Sequence, residues 1–367
     1  MNEQFNRERV DDLTNTVLLG CNSAGNPEYG HIDKLACVTD LFDQQQNEEL
    51  VNRLFALQSG DHYKVRRRPA GKDECKGLYR SVVEIRLADK PAHHPLLLAI
   101  HYVPTSKKRG VMRMELSPQH YTADQITDIF IWLGRKGRLG KHLYRGLRNA
   151  WVTTIHYALD VVGMKLHDYL ISLSKVHDGE FHDLHGEQEG LRLGSTTLVA
   201  SVYAKLNVPE LSVDERYAMA QLMLEKYQFE RFLRLELRFS PGKQKLMLGK
   251  LSQMENLVSR LAFYDREIMK DSKLEPDFAK CLMKMPVPHA RATFSPANVL
   301  NGKVVSPTRK AALKRVTNVM KKHRVMLFDA EVIWQKLPLV IQKLGILDQP
   351  QYWSYRNRIK WLKKRDK

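Results

Sequence analysis

The chain has 367 residues, 43% of them hydrophobic and 27% charged, which suits a globular protein long enough for two domains. Its formal net charge of +18 is polarised, with −6 in residues 1–60 and +13 in the last 67, and this favours a polyanionic partner, most often nucleic acid, although ribosome-associated and membrane-surface proteins share the trait. No apolar run approaches the roughly 18–20 residues of a membrane span, the polar start lacks a signal-peptide core, and the four scattered cysteines include no CxxC pair, so a reduced cytoplasmic protein with no membrane partner is expected.

In chain order, residues 1–60 read as an acidic segment of polar loops with one helical stretch near 36–57, where Leu50, Leu54 and Leu57 recur at helical spacing. Short apolar runs bounded by turns predict strands at 79–87, 96–103 and 110–117. Pro118 stops the last of these, and 122–134 reads as a helix with Thr122 as N-cap and Gly134 just past its end. The pattern then recurs as a strand at 151–163, a helix at 165–176, a strand at 195–206, a helix at 213–228, a strand at 230–239 and a helical stretch at 243–268. The reading is an α+β fold with an internally duplicated antiparallel-sheet core spanning 61–268 and helices packed on one face. A Pro- and Gly-punctuated connector at 269–306 and a basic helical C-terminal region at 307–367 follow.

The duplication is suggested by an echo. AIHYVP (99–104) leads to MRMELSP (112–118), and TIHYALD (154–160) leads to LRLELRFSP (233–241). Alternate side chains of a strand share a face, so His156 and Asp160 point one way, and Arg234, Glu236 and Arg238 oppose the leucines of LRLELRF. If the two strands are neighbours, His156, Asp160 and Glu236 could converge as N/O ligands for Mg²⁺ or Mn²⁺. The same spacing also fits a solvated sheet face with a cross-strand Arg–Asp pair. His101 and Glu115 of the first copy share the geometry without an aspartate, which favours a structural role.

In STTLVASVYAKL, Tyr203 and Lys205 share one strand face, so the hydroxyl could serve as a phosphoryl-transfer nucleophile or cap the core, the commoner fate of a tyrosine. The segment 132–151 carries Arg135, Lys136, Arg138, Lys141, Arg145 and Arg148 with no acid and four glycines, which suits a phosphate backbone. At the C-terminus YWSYRNRIKWLKKRDK combines aromatics with seven basic residues, suited to stacking and phosphate contact, or to a basic surface helix anchored by Trp353 and Trp361.

Taken in order, MRMELSPQHY, TTIHYALDVVG, LRLGSTTLVASVYAKL and RFLRLELRF resemble the motifs of the rolling-circle replication initiators of filamentous phages and related plasmids, over about 78–268. The resemblance implies an enzyme that nicks one strand of supercoiled origin DNA through a covalent 5′-phosphotyrosine and leaves a 3′-OH primer. By position Tyr203 would be the nucleophile and Lys205 would stabilise phosphate charge. Asp160, Glu236 and His156 would hold Mg²⁺ or Mn²⁺, and Arg234, Arg238 and the 135–148 cations would contact DNA. It further implies double- and single-stranded origin DNA, a host helicase and a host polymerase as partners, in a bacterial cytoplasm. His156 stands where the family has aspartate and Thr154 where it has arginine. A non-catalytic DNA-binding regulator on the same fold and a structured RNA-binding protein are the alternative readings.

Overall fold

The computed structural model describes residues 16–41, 43–90, 96–106, 109–184, 187–194, 196–204, 232–294 and 307–365. The helix expected at 213–228 and the residue Lys205 lie outside them. The first half of the chain gives β1 (Val17–Cys21), β2 (Pro27–Thr39), α1 (Gln44–Phe55), β3 (Tyr63–Pro69), β4 (Tyr79–Leu87), β5 (Leu98–Pro104) and β6 (Met112–Leu116). Two helices, α2 (Ala123–Leu133) and α3 (Lys141–Asn149), lead into β7 (Trp151–Val162) and β8 (Tyr169–Leu173). The strands β9 (Gly179–Leu184), β10 (Glu187–Leu193), β11 (Leu198–Ala204), β12 (Phe232–Phe239) and β13 (Leu261–Asp265) follow. Beyond them come α4 (Pro276–Leu282), α5 (Val287–Phe294), α6 (Pro307–Lys322), β14 (Arg324–Val325), α7 (Ala330–Gln335), α8 (Leu337–Gln342) and α9 (Tyr355–Arg365).

An 11-stranded antiparallel sheet runs in the order β3-β4-β5-β6-β2-β7-β12-β11-β10-β9, with β1 paired to one end of β2. The order is symmetric about the β2–β7 pair. In each half one strand lies at the centre, and four later consecutive strands, β3–β6 or β9–β12, start at the edge and walk back to pair with it. Register bears this out: Tyr29 faces Asp160 and Val38 faces Trp151, while Lys34 faces His156 at the middle of the pair. The fold is therefore α+β with a duplicated sheet, as the sequence implies.

The duplication differs from the echo in one respect. The Arg-x-Glu-Leu strands β6 and β12 occupy matching places, but the two Ile-His-Tyr segments do not. The first lies in β5, whose counterpart is β11, and the second lies in β7, whose counterpart is β2. His101 opposes Arg113 as Tyr203 opposes Arg234, so the first half has histidine where the second has tyrosine.

One sheet face carries the core. Leu35, Ile155, Tyr157, Leu233, Leu235 and Leu237 are essentially inaccessible and share a cluster with Leu54 of α1, Phe130 of α2, Leu147 of α3, Ile333 of α7 and Ile341 of α8. Each such side chain contributes on the order of 1.5–3 kcal/mol by leaving water. The Thr122 cap of α2 forms a full capping box: Gln125 donates its backbone N–H to Thr122 Oγ1 at 3.2 Å, and the Gln125 side chain accepts from Thr122 N at 2.9 Å.

Four expectations are corrected. Residues 36–39 end the central strand β2, and the helix begins only at Gln44, after the Asp43 cap. The helices expected at 165–176 and 243–268 are instead the strands β8 and β13 with 3₁₀ turns, paired in a separate three-stranded sheet. In that sheet Ile171, Leu173, Leu261 and Phe263 face the main core while Leu170, Ala262 and Tyr264 face a second one, so no polar alternation marked them as strands. Finally, 269–306 carries α4 and α5, which build that second core through Phe278, Leu282 and Val287.

Glu28 enters the core face of β2 opposite Val161, 1% exposed, with no hydrogen-bond partner on Oε1 among the described residues. Burial raises its pKa from 4.5 to about 7. The folded state then holds this proton between pH 4.5 and about 7 where the unfolded state has lost it, so stability falls as pH rises through that window. Glu28→Gln is expected to raise the melting temperature at pH 8 and to leave it nearly unchanged at pH 4, as thermal denaturation followed by circular dichroism would report.

Candidate active site

On the opposite sheet face each strand contributes its polar residues. Pairing of β12 with β7 sets Arg234 against Asp160 and Arg238 against His156, and pairing with β11 sets Glu236 against Ser201 and Arg234 against Tyr203. The alternation of LRLELRF positions Glu236 here by rule. Asp33 arrives differently. The β2–β7 register slips between Ile32 and Lys34, leaving Asp33 as the extra residue of a bulge. A bulge re-aims a side chain, and Asp33 joins Lys34 on the polar face.

Asp33, His156 and Glu236 bring two carboxylates and an imidazole within 4.8 Å of one another. His156 Nδ1 lies 2.8 Å from Glu236 Oε1 and 3.6 Å from Asp33 Oδ2. Arg238 Nε donates to Glu236 Oε1 at 2.8 Å, and the Tyr203 hydroxyl donates to Glu236 Oε2 at 3.3 Å. Burial disfavours charge on His156, but its hydrogen bonds to Asp33 and Glu236 outweigh this and raise its pKa. Burial likewise opposes ionisation of Glu236, but His156 and Arg238 hold its pKa below the usual carboxylate range. Tyr203 is half-buried, and desolvation pushes its pKa well above 10, only partly offset by Arg234.

Asp160 does not join this group. It is fully buried, and Arg234 donates Nε and Nη2 to its two oxygens at 2.7 and 2.8 Å. The expected convergence of His156, Asp160 and Glu236 is therefore corrected: Asp33 takes the place given to Asp160, and the cross-strand Arg–Asp pair forms in the interior, not on a solvated face. Arg234 Nη1 also donates to Gln119 Oε1 at 3.1 Å, so the Ser-Pro turn after β6 reaches across into the second half. Asp33 and Gln119 went unread in the sequence. The triplet His31-Ile32-Asp33 offered a faint signal for the first, and nothing local marked the second.

The first half carries a related cluster. Cys75, His101 and Glu115 also lie within 4.8 Å of one another, with Cys75 held in a left-handed backbone conformation at φ 47°. Lys34 Nζ and Arg113 Nε both reach Glu115 at 2.7 Å. Burial opposes the Glu115 charge, but these two cations prevail and hold its pKa at about 2. In the second half the counterpart of Lys34 is His156, Asp33 is added, and Tyr203 replaces His101.

The donor set of Asp33, His156 and Glu236 fits a hard or borderline divalent cation such as Mg²⁺ or Mn²⁺. The two carboxylates would neutralise the ion, and His156 would exchange its shared proton for a metal bond.

The cations expected to bind DNA divide between two places. Arg238 belongs to the cluster and is partly exposed, whereas Arg234 is buried and spent on Asp160 and Gln119, which corrects its expected contact with DNA. Those of 135–148 lie on the helical layer: Gly146 of α3 accepts from Thr39 Oγ1, and Thr39 shares the core face with Met112, opposite in sense to Glu115. Arg135, Lys136, Lys141, Arg145 and Arg148 are exposed there, while Arg138 stacks on Trp132 at 3.5 Å and donates to the Gln58 carbonyl. Among the described residues no helix is long and apolar enough to cross a membrane.

No protein-family model matches the chain, and no curated protein matches it in sequence. Among solved structures, a rolling circle replication initiator protein from Geobacillus stearothermophilus is similar over 65% of this chain and 88% of its own, with a TM-score of 0.34 and 11% identity.

Proposed function

We propose that the chain is a metal-dependent DNA-nicking enzyme that uses Tyr203 to start rolling-circle replication of a phage, plasmid or integrated element. The observation that supports this best is the placement of the Tyr203 hydroxyl 3.3 Å from Glu236, within an Asp–His–Glu cluster on a strongly basic chain. A divalent cation held by Asp33, His156 and Glu236 would polarise the scissile phosphate. Tyr203 Oη forms the new bond to phosphorus as the P–O3′ bond breaks, giving a 5′-phosphotyrosine and a free 3′-OH. Glu236 Oε2 orients the hydroxyl through its hydrogen bond, the phenol proton passes to solvent, and the departing 3′ oxygen takes a proton from solvent. Arg238, 42% exposed beside Glu236, is placed to contact the strand's phosphates. Asp160 acts through Arg234, holding its guanidinium against Tyr203. Lys205 would add a further positive charge for the phosphate.

A second reading, a DNA-binding regulator without cleavage, draws on the same site: the half-buried, high-pKa tyrosine is a reluctant nucleophile, and His156 already bridges the two acids. Incubation with a supercoiled plasmid bearing the element's origin and Mg²⁺ or Mn²⁺ separates them. The enzyme reading expects open-circular DNA and an SDS-stable protein–DNA adduct, both abolished by EDTA. Salt-sensitive binding with neither product, in either metal, leaves the regulator.

A further inference from the structure

Two basic segments about 200 residues apart in sequence meet on the helical layer. The stripe Lys141, Arg145 and Arg148 of α3 and the loop residue Lys136 face Tyr355 and Arg358 of α9 across a pocket of about 620 Å³. Helical spacing sets the stripe, since positions 141, 145 and 148 fall on one face while Leu143, Tyr144 and Leu147 turn inward. Arg53 and Glu49 of α1 also line the pocket, but they pair with each other at 2.7 Å, and Glu49 also meets His142. The remaining cations therefore face the pocket with no carboxylate in it to spare.

Arg358 is the unusual member. Its guanidinium lies over the Tyr144 ring at 3.6 Å and is 8% exposed, yet Nη1 has no hydrogen-bond partner among the described residues. A buried charged donor left unpaired is costly; a phosphate oxygen would complete it. Beside it, Tyr355 is 74% exposed, an aromatic ring held open at the rim. A buried arginine for a phosphate and an exposed ring for a base, with that same arginine 5.8 Å from its centre, are the two elements of single-strand recognition. Duplex offers no base face to Tyr355, and an acidic peptide would leave the ring unused.

The geometry points to a single-stranded polynucleotide site at this pocket, a phosphate against Arg358, Arg145 and Arg148 and a base stacked on Tyr355. It lies on the sheet face away from the Asp33–His156–Glu236 cluster. It rests on the proposed function only for the class of partner and requires no cleavage. The test is fluorescence anisotropy of a fluorescein-labelled dT₁₂ with full-length protein in EDTA, so that nicking plays no part. Tyr355→Ala is expected to weaken binding roughly 5- to 100-fold, the loss of one stacked base. Arg145→Glu with Arg148→Glu is expected to weaken it at least about 10-fold and to flatten the slope of log affinity against log salt by roughly 0.7 for each phosphate no longer neutralised. The three exchanged side chains are all exposed, and unchanged thermal melts would show that the variants fold. Binding of dT₁₂ that neither variant alters would overturn the proposal. So would a loss in the charge variant alone with duplex or poly-glutamate bound equally well, which would reduce the pocket to a general anion surface. An active nickase with unaltered dT₁₂ binding in both variants would refute this site and leave the proposed function standing.

Discussion

Tyr203→Phe is expected to abolish the covalent protein–DNA adduct, lowering nicking by at least about 1,000-fold while leaving origin binding within about 2-fold. The substitution keeps the ring that packs beside Arg234 and removes only the hydroxyl that donates to Glu236 Oε2. That hydrogen bond adds about 1 kcal/mol or less, so the fold survives and lost activity reports on chemistry. The measurement is SDS-resistant transfer of label from a ³²P scissile phosphate to protein. Undiminished transfer in the variant would move the nucleophile to another residue. Loss of transfer together with loss of binding would mean that Tyr203 supports the DNA surface instead.

Arg234→Met is expected to destabilise the protein by about 3–5 kcal/mol, since it removes the bidentate cation of a fully buried Asp160 carboxylate and leaves the longer 3.6 Å contact with His31 in its place. That is a large share of the roughly 5–15 kcal/mol typical of a folded domain. Because the cost comes mainly from the stranded charge, the double replacement Arg234→Met with Asp160→Leu is expected to recover most of it. Urea denaturation at constant m reads both variants. A single-variant loss below about 1 kcal/mol would show that water reaches Asp160. Arg234→Lys keeps the charge but loses the bidentate geometry, and should fall between the two.

What the sequence revealed and what it hid divide along physical lines. β4, β6 and β12 were legible because one face is apolar and the other carries Arg and Glu, so a period of two stands out. β2 was not, because it sits in the middle of the sheet with Leu35, Ala36, Cys37 and Val38 buried on both sides, a run that imitates the start of a helix. Asp33 was hidden for a further reason: the bulge that turns it to the site depends on slippage against β7, a strand far along the chain. Glu236, His156 and Tyr203 were read as separate strand positions, and their meeting depends on the β7–β12–β11 order, which the structure supplies. The echo misled where chemistry and topology parted. Two Ile-His-Tyr triplets look alike yet occupy different places in their halves, and the true counterpart of His101 is Tyr203. The joining of α3 to α9 was equally beyond reach, since each basic segment carries its own charge pattern and neither names its neighbour.

The division of cations between the two faces of the sheet bears on the physical state of any DNA the protein holds. A strand touching both Arg238 and Tyr355 must pass around an edge, through a turn on the scale of the sheet-and-helix thickness, about 10 Å per layer. Duplex, with a persistence length of about 50 nm, resists so sharp a turn, whereas a melted strand bends freely. Contact with both faces would therefore cost a duplex a bending energy that a melted strand does not bear. The layered architecture would sense melting as such, independently of any base it reads.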